Sequence, residues 1–213
     1  MPRSYQLGRR TAPKADTRAR IIAAALAVFR DHGLAGSSTL AVARAADVAP
    51  GTVRNHFPEP GALAGAVFDA ILQDMRVPTP AIFDGIDALA ERVERLAVEL
   101  AAFYERGREW WRAYEREPEL TRSTWNDRID QHNADIEALM RTALADLSTD
   151  ERSVAVVASV IGPPTFFALR ARGLSSDEAV RLSLELAVPW LEHRRTQLAG
   201  RRGTIRRPRT EAR

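Results

Sequence analysis

The chain has no cysteine in its 213 residues. A disulfide framework and a thiolate metal site are therefore both excluded, which suits a reducing compartment. Histidine is scarce too, and the four present, His32, His56, His132 and His193, are scattered along the sequence. No HExxH spacing sets two of them on one helix face as zinc ligands. No Gly-rich phosphate loop, GxSxG nucleophile turn or clustered carboxylate motif occurs. The reading is a protein that is not an enzyme, with no catalytic residues, no metal and no cofactor. No apolar run reads as approaching the roughly 20 residues of a membrane span, and the Arg-rich start lacks a signal-peptide hydrophobic region. A cytoplasmic protein with no membrane partner is the expectation.

What is present is a folded composition, 45% hydrophobic, with charge unevenly placed. Residues 1–57 carry nine Lys/Arg against three acids, and residues 194–213 carry eight Arg against Glu211 alone. The segment between them has 14 basic and 24 acidic residues, so basic ends flank an acidic body. That distribution predicts a polyanion at one part of the molecule and something else at another; for the tail alone, solubility is an equal reading.

Apolar spacing predicts helices throughout. Ile21, Ile22, Ala25, Leu26 and Phe29 recur on one face behind a cap at Asp16 or Thr17, and Gly33 and Gly36 end that helix. Ser38 or Thr39 then caps a short second helix through about Ala46. A break at Asp47–Pro50 leads to a third helix ending at Phe57, and residues 61–75 read as a fourth. Longer helices are predicted over 82–106 and 120–147, with a short aromatic segment between them. The "STDE" (148–151) and "SSDE" (175–178) stretches both fit a capping box, in which Ser and Glu satisfy each other's free N–H groups. Behind them, "VAVVASVI" and "VRLSLELAV" suit strands by propensity, but the boxes favour helices over 149–172 and 176–195, kinked at Pro163, Pro164 and Pro189.

Two short helices joined by a tight turn and packed on a longer one make a helix-turn-helix. Ala43 is small where helices cross, and Asp47 tolerates the left-handed backbone of a sharp turn. Val48, Val53 and Phe57 face inward. The opposite face of the third helix carries Gly51, Thr52, Arg54 and Asn55, with His56 at its edge and no acid. That face suits a major groove, where Arg and Asn pair with base edges and hydroxyls with phosphates. A small helical domain with a solvated face is the competing reading.

Over residues 17–68 the chain resembles the N-terminal domain of the TetR family of transcriptional regulators. The resemblance is carried by Thr17-Arg18, Ile21, Ala24-Ala25, Phe29, Gly33, Ser38-Thr39, Ala43 with Ala46, Val48, Gly51-Thr52, His56-Phe57-Pro58 and Leu63. It implies an all-α homodimer: an N-terminal three-helix helix-turn-helix domain plus a C-terminal helical ligand-sensing and dimerisation bundle, about nine helices in all. Pro50, Gly51 and Thr52 then fall where the family reads bases, Ser38 and Thr39 at a phosphate-contacting cap, and His56 at a phosphate contact. Arg54 replaces the usual aromatic, and Pro60 the usual Lys. Arg54 and the basic residues Arg3, Arg9, Arg10, Lys14 and Arg18 are expected to compensate, because phosphate contacts are interchangeable in a way base contacts are not.

The expected domains are a mobile basic arm (1–15), the DNA-binding domain (16–60), an effector-binding and dimerisation domain (61–198) and an Arg-rich disordered tail (199–213). Phe103, Trp110, Trp111, Tyr114, Trp125, Phe166 and Phe167, with His132 for polarity, are candidates to line a pocket for a flat or greasy effector; ordinary core packing is the alternative for each. Val157, Ile161, Leu182, Leu186 and Trp190 are candidates for the dimer face. The expected partners are a palindromic double-stranded DNA operator, a second copy of the chain and a small-molecule effector, with operator release on effector binding. A constitutive DNA binder and, less favoured, a helical interaction module that binds no DNA are the alternatives.

Overall fold

The structure, a computed structural model, describes the backbone of residues 8–59 and 61–205 and the side chains of residues 14–59 and 61–200. Among the described residues there is no strand, and ten α-helices follow in order. They are α1 (Gly8–His32), α2 (Thr39–Ala45), α3 (Pro50–His56), α4 (Ala62–Met75), α5 (Leu89–Arg106), α6 (Arg108–Arg116), α7 (Pro118–Leu144), α8 (Glu151–Ile161), α9 (Pro163–Ala171) and α10 (Ser176–Ile205). The chain forms two compact units, Met1–Val77 with Arg106–Gln131, and Pro78–Glu105 with His132–Arg213. The first unit thus takes in α4, α6 and the N-terminal half of α7 as well as the expected 16–60 domain.

Several boundaries differ from the sequence reading. Helix α1 begins at Gly8, so residues 8–15 are helical rather than part of an arm. Likewise α10 continues to Ile205 through the start of the expected tail, with Pro189 inside it. Residues 1–7, Pro60 and 206–213 lie outside the described residues. The predicted 82–106 helix starts late. A 3-10 turn spans Pro80–Phe83, and Gly85 at φ 75° turns the chain before α5. Glu151–Ala171 is long and apolar enough in composition to cross a membrane, which corrects the expectation that no run approaches that length. It is two helices, broken at Gly162, where a Cβ would lie 2.1 Å from the Ala158 carbonyl oxygen.

In the first unit, Ile21, Ala25 and Phe29 follow one another a helical turn apart and are buried against Val42, Ala43 and Ala46 of α2. Val53, Phe57, Val67, Phe68 and Ile71 complete the core, and Trp125 of α7 closes it. Trp125 meets Phe29 edge-on at 5.1 Å and donates its indole N–H to the Ala64 carbonyl at 2.7 Å. Its backbone is non-helical (φ −124°, ψ 22°), which kinks α7 there.

In the second unit, one face of α5 buries Val93, Leu96, Leu100, Phe103 and Tyr104. On α10, Ala179, Ser183 and Ala187 recur every fourth residue and are buried, so small side chains allow close packing along that stripe. Asp150 caps α8 by accepting from the Ser153 N–H, and Arg194 of α10 forks onto both its oxygens at 2.7 and 2.9 Å. The "STDE" capping box is therefore not formed: Asp150 caps the helix, and Glu151 accepts from Arg141 instead. The "SSDE" box is formed, with Ser175 and Glu178 bonded reciprocally at 2.7 and 3.2 Å.

Candidate nucleic-acid interface and effector-binding residues

The α2–α3 turn follows from its hydrogen bonds. Asp47 adopts φ 51°, its N–H reaches the Arg44 carbonyl at 3.2 Å, and the Val48 N–H reaches the Ala43 carbonyl at 3.0 Å. This pair of bonds around a left-handed residue is a Schellman turn, which satisfies carbonyls a helix end would leave bare. Glycine would fit without strain; Asp47 holds the same geometry at some cost. Ser38 caps α2, its hydroxyl accepting from the Ala41 N–H at 3.2 Å. Pro50 opens α3 at its first position, where the missing N–H costs nothing.

Val53 and Phe57, four residues apart, are buried and pin α3 to the core. Helix α1 braces the motif from below. Arg18, grouped by sequence with the phosphate-binding arm, places its guanidinium 4.7 Å from the Phe57 ring centre, and Arg20 donates to the Ala46 carbonyl at 2.7 Å. The face left outward carries Ser38, Thr39, Gly51, Arg54 and Asn55 exposed, with Pro50, Thr52 and His56 half-buried. Neither α2 nor α3 contains an acid. Among the described residues Arg54 has no hydrogen-bond or ion-pair partner, so its charge is free for an incoming anion. All eight residues named from the sequence thus lie on one short, cationic stretch.

Sequence reasoning missed the residues that hold this motif from outside it. The Glu117 carboxylate accepts from the Leu34 N–H at 2.6 Å, and Arg116 donates to the Arg30 carbonyl at 2.8 Å, so the α6–α7 corner grips the end of α1. Arg106 donates to the Met75 carbonyl at 2.7 Å and caps the end of α4. Arg128 pairs with Asp69 on α4. No local pattern marks such pairs, since their partners lie tens of residues away in sequence.

The aromatic set divides between the units. Trp110 stacks on Phe29 at 5.9 Å, Trp125 is core, and Trp111 stacks on Tyr114 at 5.8 Å, all in the first unit. In the second unit Phe103, Phe166 and Phe167 gather around Tyr104 and His132 packs on Phe103, with ring centres 5.4 to 6.1 Å apart. The Tyr104 hydroxyl is buried with no hydrogen-bond partner, and burial pushes its pKa well above the usual phenol range. Burial lowers the His132 pKa, with Asp135 opposing, so the imidazole is neutral at pH 7. Of the dimer-face candidates, Leu182, Leu186 and Trp190 are exposed on α10. Val157 and Ile161 are buried inside the unit, because the spacing that puts them on one face of α8 turns that face inward.

An acid-free helix bearing Arg54, held across a Schellman turn on the α1 core, defines a helix-turn-helix, a motif suited to DNA. Residues 21–67 match the family "Bacterial regulatory proteins, tetR family". No curated protein matches the chain. Several solved structures share its fold. One is the multidrug binding protein EbrR complexed with imidazole, 23% identical, covering 89% of this chain and 96% of its own, at a TM-score of 0.53. Another is a putative fatty acid metabolism regulator of Clostridium perfringens, 18% identical, covering 78% and 94%, at 0.54. Residues 21–67 are thus similar to the DNA-binding domain of the tetR family, and the fold of the chain is that of these regulators.

Proposed function

We propose that the protein is a homodimeric, cytoplasmic repressor that leaves a palindromic operator when a small hydrophobic or aromatic effector enters its second unit. The observation that carries the switch is Tyr104. A buried hydroxyl without a partner loses its hydration and recovers nothing, a deficit of roughly 1–3 kcal/mol. Surrounded by Phe103, Phe166 and Phe167, with His132 behind Phe103, it is placed to donate to an acceptor on a flat apolar ligand. Pairing of two copies supports DNA binding as well: one recognition helix spans few base pairs, and a two-fold partner sets a second one about a helical turn away, ~34 Å.

Effector binding would alter the setting of α3 through the chain segments that run from the second unit into α6 and α7, which grip α1 and α4. The coupling required is ~1–3 kcal/mol, or about 5–150-fold in operator affinity.

Selection of genomic DNA by the full-length chain, followed by gel shift on the recovered sequence, tests the reading. A palindrome is the expected product. Release of the complex by 2-acetonaphthone, which carries one acceptor, and not by naphthalene supports the Tyr104 site. Operator binding indifferent to a broad library of apolar compounds would instead assign a constitutive DNA binder, and failure to select any DNA at low salt would assign an interaction module.

A further inference from the structure

The helix-turn-helix unit holds an open cavity of about 440 Å³ lined by α3, by Pro58, Glu59 and Gly61, and by the first turns of α4 and α7. That volume falls within the range of small-molecule sites. Its floor is aromatic and aliphatic, formed by Phe29, Val53, Phe57 and Trp125. Leu120, at the rim, is a large apolar side chain left 41% exposed. Arg54 stands on the same rim without an ion pair or hydrogen bond among the described residues. The first turn of α4 lines the cavity as well; its N-cap, Gly61, supplies no side-chain oxygen, and the Ala62 N–H donates to the Glu59 carbonyl at 3.1 Å, so no side chain neutralises the positive end of that helix dipole. Glu59 also reaches the rim but is solvent-exposed and forms no ion pair with Arg54, so its opposing field is screened.

We propose that this cavity is a second small-molecule site, distinct from the Tyr104 cluster, for an amphipathic organic acid: the apolar body lies against Phe57 and Trp125, and the carboxylate sits between Arg54 and the start of α4. Charge selects the acid. A neutral ligand of the same shape would strip water from the Arg54 guanidinium without replacing it, whereas a carboxylate forms a charge-assisted hydrogen bond with it. Because Arg54 belongs to the outward face of α3, the acid and a DNA phosphate compete for one cation, so each weakens binding of the other.

The test is a titration of the full-length chain with 2-naphthoate, read by calorimetry and by the four tryptophan indole N–H signals. The expected result is a site whose occupancy moves the Trp125 signal and leaves that of Trp190 in place. Thr124→Phe, at an exposed rim position of α7, fills the mouth of the cavity, and Arg54→Gln removes the charge. Each is expected to weaken binding about tenfold or more, and 2-naphthamide, uncharged and of the same shape, by a similar factor. Added duplex DNA lowers naphthoate affinity in the wild type. No binding, a response of Trp190 rather than Trp125, or undiminished affinity in both variants would overturn the proposal.

Discussion

Arg54 and Tyr104 show opposite uses of a polar group. Arg54 extends an unpaired charge from a short helix whose other face is pinned by Val53 and Phe57. An exposed, flexible guanidinium on such a face meets the phosphate backbone before it meets a base edge. Arg54→Ala is expected to weaken binding to all duplexes alike and to reduce the salt slope of log affinity by about 1, read by anisotropy titrations between ~50 and 200 mM salt. A loss confined to one base position would assign base reading instead. Tyr104, by contrast, hides a donor that finds no acceptor among the described residues. Tyr104→Phe removes that group, so the unliganded protein should gain roughly 1–3 kcal/mol in denaturant unfolding. The same substitution should abolish the preference for acceptor-bearing effectors over plain hydrocarbons of equal shape.

At the scale of elements, the corner between α6 and α7 governs how α1 ends. Gly33 takes φ 72°, and the next N–H, of Leu34, finds its acceptor in Glu117. Glu117→Ala leaves that N–H without its partner and is expected to cost about 1 kcal/mol in urea unfolding, with the same loss of DNA affinity for every sequence. Gly33→Ala should cost more, since it adds a left-handed alanine and a Cβ that would lie 2.5 Å from the Glu117 carboxylate. The two predicted capping boxes show how closely local signals depend on their surroundings. At "SSDE" Ser175 and Glu178 are free to bond each other's backbone N–H groups, and the box forms. At "STDE" the Arg141 guanidinium takes Glu151, and Asp150, itself held by Arg194, caps the helix instead.

The whole molecule depends on the pairing of α8 with α10 and, by our proposal, on the pairing of two copies. Arg194, bonded to the little-exposed Asp150, and Ser153 hold its carboxyl well below the usual carboxylate range. A depressed acid adds stability that is fully present above its unfolded pKa of about 3.9 and is lost as pH falls through the folded value. Wild-type stability should therefore fall progressively below about pH 4, whereas Asp150→Asn should lower the neutral-pH melting temperature and flatten that acid limb. Leu186 is 60% exposed on α10, near Leu182 and Trp190, an apolar stripe unlike an ordinary solvent face. Leu186→Glu is expected to halve the mass seen in sedimentation and to reduce operator affinity, while leaving the helical circular dichroism of the protomer intact.

The all-helical class, the helix-turn-helix and the residues of its outward face were legible in the sequence. Each depends on contacts within a few residues: Val53 with Phe57, the Ser38 cap, and the turn at Asp47. The regularity of helical spacing carries such information directly. Tertiary structure alone decided which unit each aromatic serves, because Trp110 and Trp125 are separated by most of a hundred residues from the Phe29 they pack on. It also decided which face of α8 turns inward, burying Val157 and Ile161, since an apolar stripe shows that a face is covered and not by what. The grip of Glu117 on α1 and the unpartnered Tyr104 belong to the same class. A hydrogen bond made or missing across the fold leaves no periodic trace in the chain.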